Sequence, residues 1–208
     1  MATAPNVGDP KSTSSRDRIL QSAKQLFASR GYENTSTVAI ARMAGTSESQ
    51  LMKHFGSKEG LLEAIFDEGW ISLAESVKQI EGISSPRDKL TKLVELMIGA
   101  MEKDPELKQL FLLEGRRVRK EGHMVMMTRG FQQFVKVADS ILSEMRAAHQ
   151  LRPDINAEAL RSAFLGMFEG LLRDQLLAKM MNFPSNYTAA DMNKIFQVLL
   201  PALAPAGR

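Results

Sequence analysis

The sequence contains no cysteine. This absence excludes disulfide bonds, cysteine-ligated zinc, iron–sulfur clusters and a thiolate nucleophile. The sequence also lacks any run of about 18 apolar residues, the length that a membrane-spanning helix requires. Its first residues, MATAPNVGDPKSTSS, have no apolar stretch of the kind found in secretory signals, so we expect a cytoplasmic protein.

Motifs of common enzymes and cofactor-binding proteins are missing as well. The sequence has no phosphate-binding loop, no nucleotide-binding glycine fingerprint and no nucleophile elbow. Its three histidines, His54, His123 and His149, are too far apart for the spacing of metal ligands. We therefore expect no enzymatic activity, no cofactor and no metal site.

The excess of positive over negative residues is concentrated near the N-terminus. Hydrophobic residues make up 44% of the 208 residues and charged residues 25%, which is typical of a globular protein with a sizeable core. The net charge of +3 is too small to indicate a nucleic-acid partner by itself. The first 58 residues, however, carry eight Lys and Arg against four Asp and Glu, a local charge of +4.

Apolar residues recur at three- and four-residue intervals from Ser14 onward, and no alternating strand pattern persists. This spacing predicts an all-α fold of about nine helices, three short ones followed by six longer ones. Residues 1–13 are rich in Pro, Gly, Ser and Thr and are predicted to form a flexible arm. Cap residues predict where helices begin: Ser14, Thr35–Ser36, Ser47, Ser57, Ser85, Asp104, Asp154 or Asn156, and Thr188 with Asp191.

The second and third predicted helices, about residues 36–44 and 47–55, are joined by the short turn Ala44–Gly45–Thr46. Two short helices with a glycine-containing turn are typical of a helix-turn-helix. Leu51 and Phe55 are predicted to belong to its core. A DNA major groove accepts one such helix, with its N-terminal residues at the base edges. The predicted outer face of the third helix is polar and consists of Glu48, Ser49, Gln50, Lys53 and His54.

Three polar residues have two interpretations each. Glu48 either accepts a hydrogen bond from a cytosine or only benefits from the dipole at a helix N-terminus. His54 either flanks the groove or packs against Phe55. Lys58 lies in the first turn of the fourth helix, where the dipole disfavours a cation. A bound phosphate explains this lysine, and so does ordinary exposure to solvent.

Residues 16–66 resemble the N-terminal domain of the TetR family of bacterial transcriptional regulators. The resemblance rests on IL…A…LF…G followed by TS…IA…AG.S…L…HF.SKE.L, in the family's order and at its spacing. It implies a homodimeric repressor that binds a palindromic operator in double-stranded DNA. It also implies a helical C-terminal domain that binds a small-molecule effector.

The same resemblance implies roles for individual positions. Ser36 and Thr37 resemble backbone-contacting positions, and Lys58 resembles a phosphate-binding lysine. Met52 stands where the family usually has a tyrosine, so a hydroxyl-to-phosphate hydrogen bond is missing. The base-reading positions correspond to Glu48, Ser49 and Gln50, and the positions that flank the groove correspond to Lys53 and His54.

Residues 59–208 are predicted to form a domain for effector binding and dimerisation, after a helix-turn-helix domain at 14–58. This part is rich in methionine, whose flexible side chain suits adaptable apolar sites, although ordinary core filling is the alternative. The candidate effector-binding residues are Met97, Met101, Glu114, Met127 and Glu169.

Ala163, Gly166 and Gly170 recur at three- and four-residue spacing in the predicted eighth helix. Glycine in a helix interior costs about 1 kcal/mol relative to alanine, so two on one face indicate the close approach of another helix. In the resembled family the last two helices pair with those of a second subunit, which makes these residues candidates for a dimer interface. An intramolecular helix crossing is the alternative.

Together these features predict a sequence-specific DNA-binding transcriptional regulator. We expect a repressor that a small, largely apolar effector releases from its operator. The alternative is a helical DNA-binding or protein-interaction module that senses no effector.

Overall fold

The computed structural model describes residues 14–117 and 124–205, and these residues fold into nine α-helices. The predicted all-α fold class is confirmed, and the predicted arm at 1–13 lies outside the described residues. No helix of the described part is long and apolar enough to cross a membrane. The helices are α1 (Ser15–Arg30), α2 (Thr37–Met43), α3 (Glu48–Phe55), α4 (Lys58–Val77), α5 (Pro86–Lys103), α6 (Pro105–Glu114), α7 (Arg129–Ala147), α8 (Ala157–Met181) and α9 (Ala189–Leu199).

Each of the first four helices begins at a side-chain cap, and most of these caps are residues that the sequence predicted. Ser14, Ser47 and Ser57 each accept a hydrogen bond from the backbone N–H three residues ahead, at 3.1, 3.2 and 2.9 Å. At α2 the cap is Ser36, because Thr35 is buried and donates its hydroxyl to backbone carbonyls of the preceding segment. Each cap satisfies one of the free backbone donors of a helix N-terminus.

Two helix starts in the C-terminal half are also defined by caps. Asn156 rather than Asp154 caps α8, and its side-chain oxygen accepts from the Ala159 N–H at 2.9 Å. Thr188 and Asp191 form the reciprocal capping box at α9 that the sequence predicted. Hydrogen bonds from the backbone N–H and the hydroxyl of Thr188 hold the pKa of the Asp191 carboxyl below its usual range.

The chain forms two compact units, divided between Leu62 and Glu63 within α4. In the first unit, α1, α2 and α3 pack around fully buried side chains, among them Ile19, Ile40 and Leu51. Burying an aliphatic side chain of this size contributes roughly 1.5–3 kcal/mol. A few such residues therefore supply much of the stability of these short helices, which are marginal on their own.

The prediction that Phe55 belongs to the core is wrong. Phe55 is the last residue of α3 and is half-buried, and the guanidinium of Arg16 lies 5.4 Å from its ring centroid. Because the helix ends here, the ring covers the edge of the unit instead of filling its interior. Leu51, one turn earlier, is completely buried, as predicted.

In the second unit, α5 packs against α6, α7 and α9, while α8 packs against α6 and α7. The ring of Trp70 in α4 lies 5.2 Å from that of Phe131 and 5.0 Å from that of Phe134, both in α7. The Asp67 carboxylate accepts a hydrogen bond from the Gly130 N–H at 3.0 Å and so satisfies a free donor in the first turn of α7. The C-terminal part of α4 is thereby attached to α7.

Gly130→Ala is expected to destabilise the protein by about 1–3 kcal/mol, the usual cost of overpacking. A Cβ at residue 130 would lie 2.5 Å from Trp70 Cβ and 3.0 Å from Asp67 Oδ1, so α4 and α7 must move apart. Gly82→Ala is the control, because a Cβ there meets no atom within 4 Å. Urea unfolding measures both variants, and equal stabilities would contradict this description of the contact.

Candidate nucleic-acid interface and internal cavities

The turn between α2 and α3 is fixed by a Schellman motif. The Thr46 N–H donates to the Ala41 carbonyl at 3.0 Å, and the Gly45 N–H donates to the Arg42 carbonyl at 3.2 Å. Gly45 has a φ of +63°, which residues with a side chain rarely adopt. Arg18 of α1 donates its Nε–H, at 3.1 Å, to the carbonyl of the residue just before this glycine. These bonds set the angle between α2 and α3.

The outer face of α3 is polar and open to solvent. Its one fully buried side chain, Leu51, belongs to the core of the first unit. Hydroxyl, amide and carboxylate groups near the start of a helix are those that bond to base edges, and a cation further along suits a phosphate. Every residue of the predicted outer face is exposed: Glu48, Ser49, Gln50, Lys53 and His54.

The first turns of α2 and α3 are joined by a side-chain hydrogen bond. The Thr37 hydroxyl donates to the Glu48 carboxylate, while the neighbouring Ser36 side chain caps α2. Glu48 therefore has a partner within the unit, which neither interpretation of the sequence included. A carboxylate has several acceptor positions, so this bond leaves Glu48 able to accept a further one.

Lys58 is held against an aromatic ring. Its Nζ lies 4.3 Å from the centroid of Tyr32 and 3.5 Å from the Glu33 carbonyl oxygen. This cation–π contact offsets the unfavourable position of a lysine at a helix N-terminus. It adds a third explanation for Lys58 that the sequence did not suggest. The ammonium group has three donors, so the contact is compatible with a phosphate partner.

Several apolar side chains of the first unit are exposed. Met52 of α3 is 43% exposed, where the resembled family usually has a tyrosine, and Val38 and Met43 of α2 are 49% and 46% exposed. Apolar groups on a DNA-reading surface contact the methyl group of thymine. Helix periodicity alone did not single out these residues, because it treats an apolar residue as a candidate for the core.

Two apolar cavities lie inside the second unit. The first cavity, between α5, α7, α8 and α9, has a volume of about 450 Å³, and the second, between α4, α5, α6 and α8, about 430 Å³, counting the parts open to solvent. Met97 lines both cavities and Met101 lines the second. Aromatic residues that the sequence analysis did not name complete the walls, among them Phe66, Trp70, Phe134 and Phe168.

The other candidate effector-binding residues lie elsewhere. Met127 is 50% exposed and lines neither cavity. Glu114 and Glu169 are buried, but their carboxylates form ion pairs with arginines. Glu169 pairs with Arg116 at 2.5 Å and Arg173 at 2.8 Å, and Glu114 pairs with Arg117 at 3.2 Å. Burial of a carboxylate requires such partners, so these two residues have a structural explanation.

The candidate dimer residues lie on an open face of α8. Ala163 and Gly166 are exposed and Gly170 is half-buried. A Cβ built at either glycine meets no atom of the described chain within 4 Å, so an intramolecular crossing does not explain them. On α9, the exposed apolar residues Ile195 and Val198, at 46% and 60%, were missed by the sequence analysis.

Comparison with known proteins agrees with this architecture. Residues 19–65 match the family model described as bacterial regulatory proteins, tetR family. The chain is 36% identical over 100 residues to the HTH-type transcriptional repressor AcnR of Corynebacterium glutamicum, a match covering 48% of this chain and 46% of the repressor. It is 23% identical over 192 residues to the nucleoid occlusion factor SlmA of Marinomonas sp. (strain MWYL1), covering 88% of this chain and 96% of SlmA.

The likeness extends to solved structures. The transcriptional regulator FadR of Bacillus subtilis, in complex with stearoyl-CoA, superposes with a TM-score of 0.79 at 18% identity, covering 89% of this chain and 97% of FadR. An exposed polar helix within a helix-turn-helix is typical of a DNA-binding regulator. The family match at residues 19–65 and the 36% identity to AcnR confirm the resemblance to the TetR family of bacterial transcriptional regulators found at residues 16–66.

Proposed function

We propose that the protein is a transcriptional repressor that binds a palindromic operator as a homodimer and is released by a small, largely apolar effector. The observation that carries this proposal is the exposed polar face of α3, a helix that is anchored to the core by the buried Leu51. The helix lies within residues 19–65, which match the family model. A regulator that acts on bacterial DNA works in the cytoplasm. We propose no enzymatic activity, in line with the regulatory roles named for the relatives.

The proposed DNA contacts divide into reading and positioning groups. Glu48, Ser49 and Gln50 are exposed in the first turn of α3, where a helix in the major groove meets the base edges. Phosphate contacts fix the register without carrying sequence information. We assign this positioning role to Ser36, Thr37, Lys53, His54 and Lys58.

Two apolar cavities support an effector whose buried part is hydrocarbon. FadR of Bacillus subtilis, which shares the fold, was solved in complex with stearoyl-CoA, a ligand with a long apolar tail. We therefore propose that an apolar molecule or acyl group occupies the cavities that Met97 and Met101 line. Glu114, Met127 and Glu169 have less support, since none of them lines either cavity.

The proposed dimer interface combines α8 and α9. Ala163, Gly166 and Gly170 allow close backbone approach, and Ile195 and Val198 supply exposed apolar surface for burial between subunits. One helix-turn-helix buries too little surface for a specific affinity, so two are required. In such a dimer, two copies of α3 enter successive major grooves about 34–36 Å apart.

A module without effector sensing is the second candidate function. One observation favours it: SlmA, matched along 96% of its length, is named a nucleoid occlusion factor rather than a transcriptional regulator. This candidate is a helical DNA-binding or protein-interaction module. The two candidates therefore differ in their response to small molecules.

Gln50→Ala is expected to relax the preference at one or two operator positions, at a cost of about 1–3 kcal/mol there. Lys58→Ala is expected to weaken binding to all sequences alike and to lower the salt slope, log K against log [salt], by about one. Gln25→Ala, an exposed glutamine of α1, is the control for Gln50. Titration of matched and mismatched duplexes at several salt concentrations measures both effects. The same sequence-independent loss from Gln50→Ala and Lys58→Ala would refute the division into reading and positioning residues.

Operator DNA and effector are expected to weaken each other's binding by the same factor. An effector releases DNA only through its different affinities for the two states of the protein, and linkage makes the effect reciprocal. Calorimetry with stearoyl-CoA, with and without operator duplex, should show a change of about 5- to 150-fold. Free coenzyme A is the control. Equal affinities in the two titrations would favour the second candidate function.

A further inference from the structure

The two cavities of the second unit share one wall. Among the described residues, only Met97 of α5 and Phe168 of α8 line both cavities. Both side chains are buried, at 7% and 3% exposure. If this wall moves, the two cavities become one elongated site that extends from α9 to α4.

Met97 is the movable part of this wall. Methionine is unbranched and has three rotatable side-chain bonds, so it changes shape without displacing its helix. Phe168 has a rigid ring and only two side-chain torsions, so it changes shape less readily. Met101, one turn further along α5, lines the second cavity only. Met101 can therefore serve as a control for Met97, because it is a methionine of the same helix that lies beside the shared wall but not in it.

The lining of the two cavities determines what passes Met97. Within residues 14–117 and 124–205, Arg161 is the only charged residue that lines either of them, and its guanidinium is paired with the Asp139 carboxylate. An ionised group placed in such a space without a partner is strongly disfavoured. A flexible, uncharged chain of methylene groups meets no such penalty.

We propose that Met97 is a gate between the two cavities and determines the longest straight alkyl tail that the effector can carry. This rests on the proposed function in one respect, that an apolar effector binds in the second unit. A short tail occupies one cavity. A long tail turns the Met97 side chain aside and extends into the other cavity.

The test uses the full chain and three straight-chain probes, octanoic, dodecanoic and octadecanoic acid. Each additional buried methylene strengthens binding by about fourfold, so affinity rises with length as long as the cavity accepts the tail. Calorimetry gives the affinities. The emission of Trp70, the only tryptophan, reports binding in this unit because its ring lines the second cavity.

Met97→Phe is expected to abolish the advantage of octadecanoic over octanoic acid. Met97→Ala is expected to enlarge that advantage, and it carries the test if the phenylalanine variant fails to fold. Met101→Ala, which widens the second cavity without opening the wall, is expected to keep the wild-type ratio. Circular dichroism checks the fold of each variant.

Two results would overturn the gate. One is that changes at Met97 scale all three affinities by a common factor, or that Met101→Ala alters the ratio as Met97→Ala does. The other is that the wild-type protein binds none of the acids. Failure of the proposed function gives a different result: the acids bind with the predicted length dependence, but operator DNA is not released.

Discussion

The recognition surface depends on the turn between α2 and α3. The positive φ of Gly45 lets the chain reverse within three residues, and the bond from Arg18 to the turn ties it to α1. Because Leu51 is completely buried against the same unit, the polar side chains of α3 are directed outward. The bond between Thr37 and Glu48 then joins the ends of the two helices that the turn brings together.

The second unit differs from the first in having apolar cavities in its interior. Its helices bury many flexible and aromatic side chains but leave two apolar cavities that meet at Met97 and Phe168. Protein interiors are normally packed without such spaces, so two adjacent apolar cavities are consistent with the proposed effector site. The buried carboxylate of Glu169 lies outside them, where arginines 116 and 173 compensate its charge.

Features governed by local rules were predictable from the sequence. Helix caps such as Ser47 and the Thr188–Asp191 pair, the glycine turn and the buried Leu51 depend on residues close in the chain. The same holds for the helix count and for the exposed outer face of α3.

Features that depend on distant residues were not predictable. The partners of Glu169, the contact between Lys58 and Tyr32 and the alignment of Met97 with Phe168 join positions whose spacing carries no signal. Phe55 was assigned to the core because its periodicity is correct. The apolar spacing does not show that the helix ends at this residue, so that no following turn covers the ring.

Selection of bound sequences from random double-stranded DNA by the full chain tests the central claim most directly, because it needs no knowledge of the operator. A dimer that presents two copies of α3 predicts an inverted repeat, with half-sites centred about one helical turn apart or more. Recovery of that repeat would establish both sequence-specific reading and two-fold symmetry. A single unpaired half-site, or sequences without any consensus, would contradict the account.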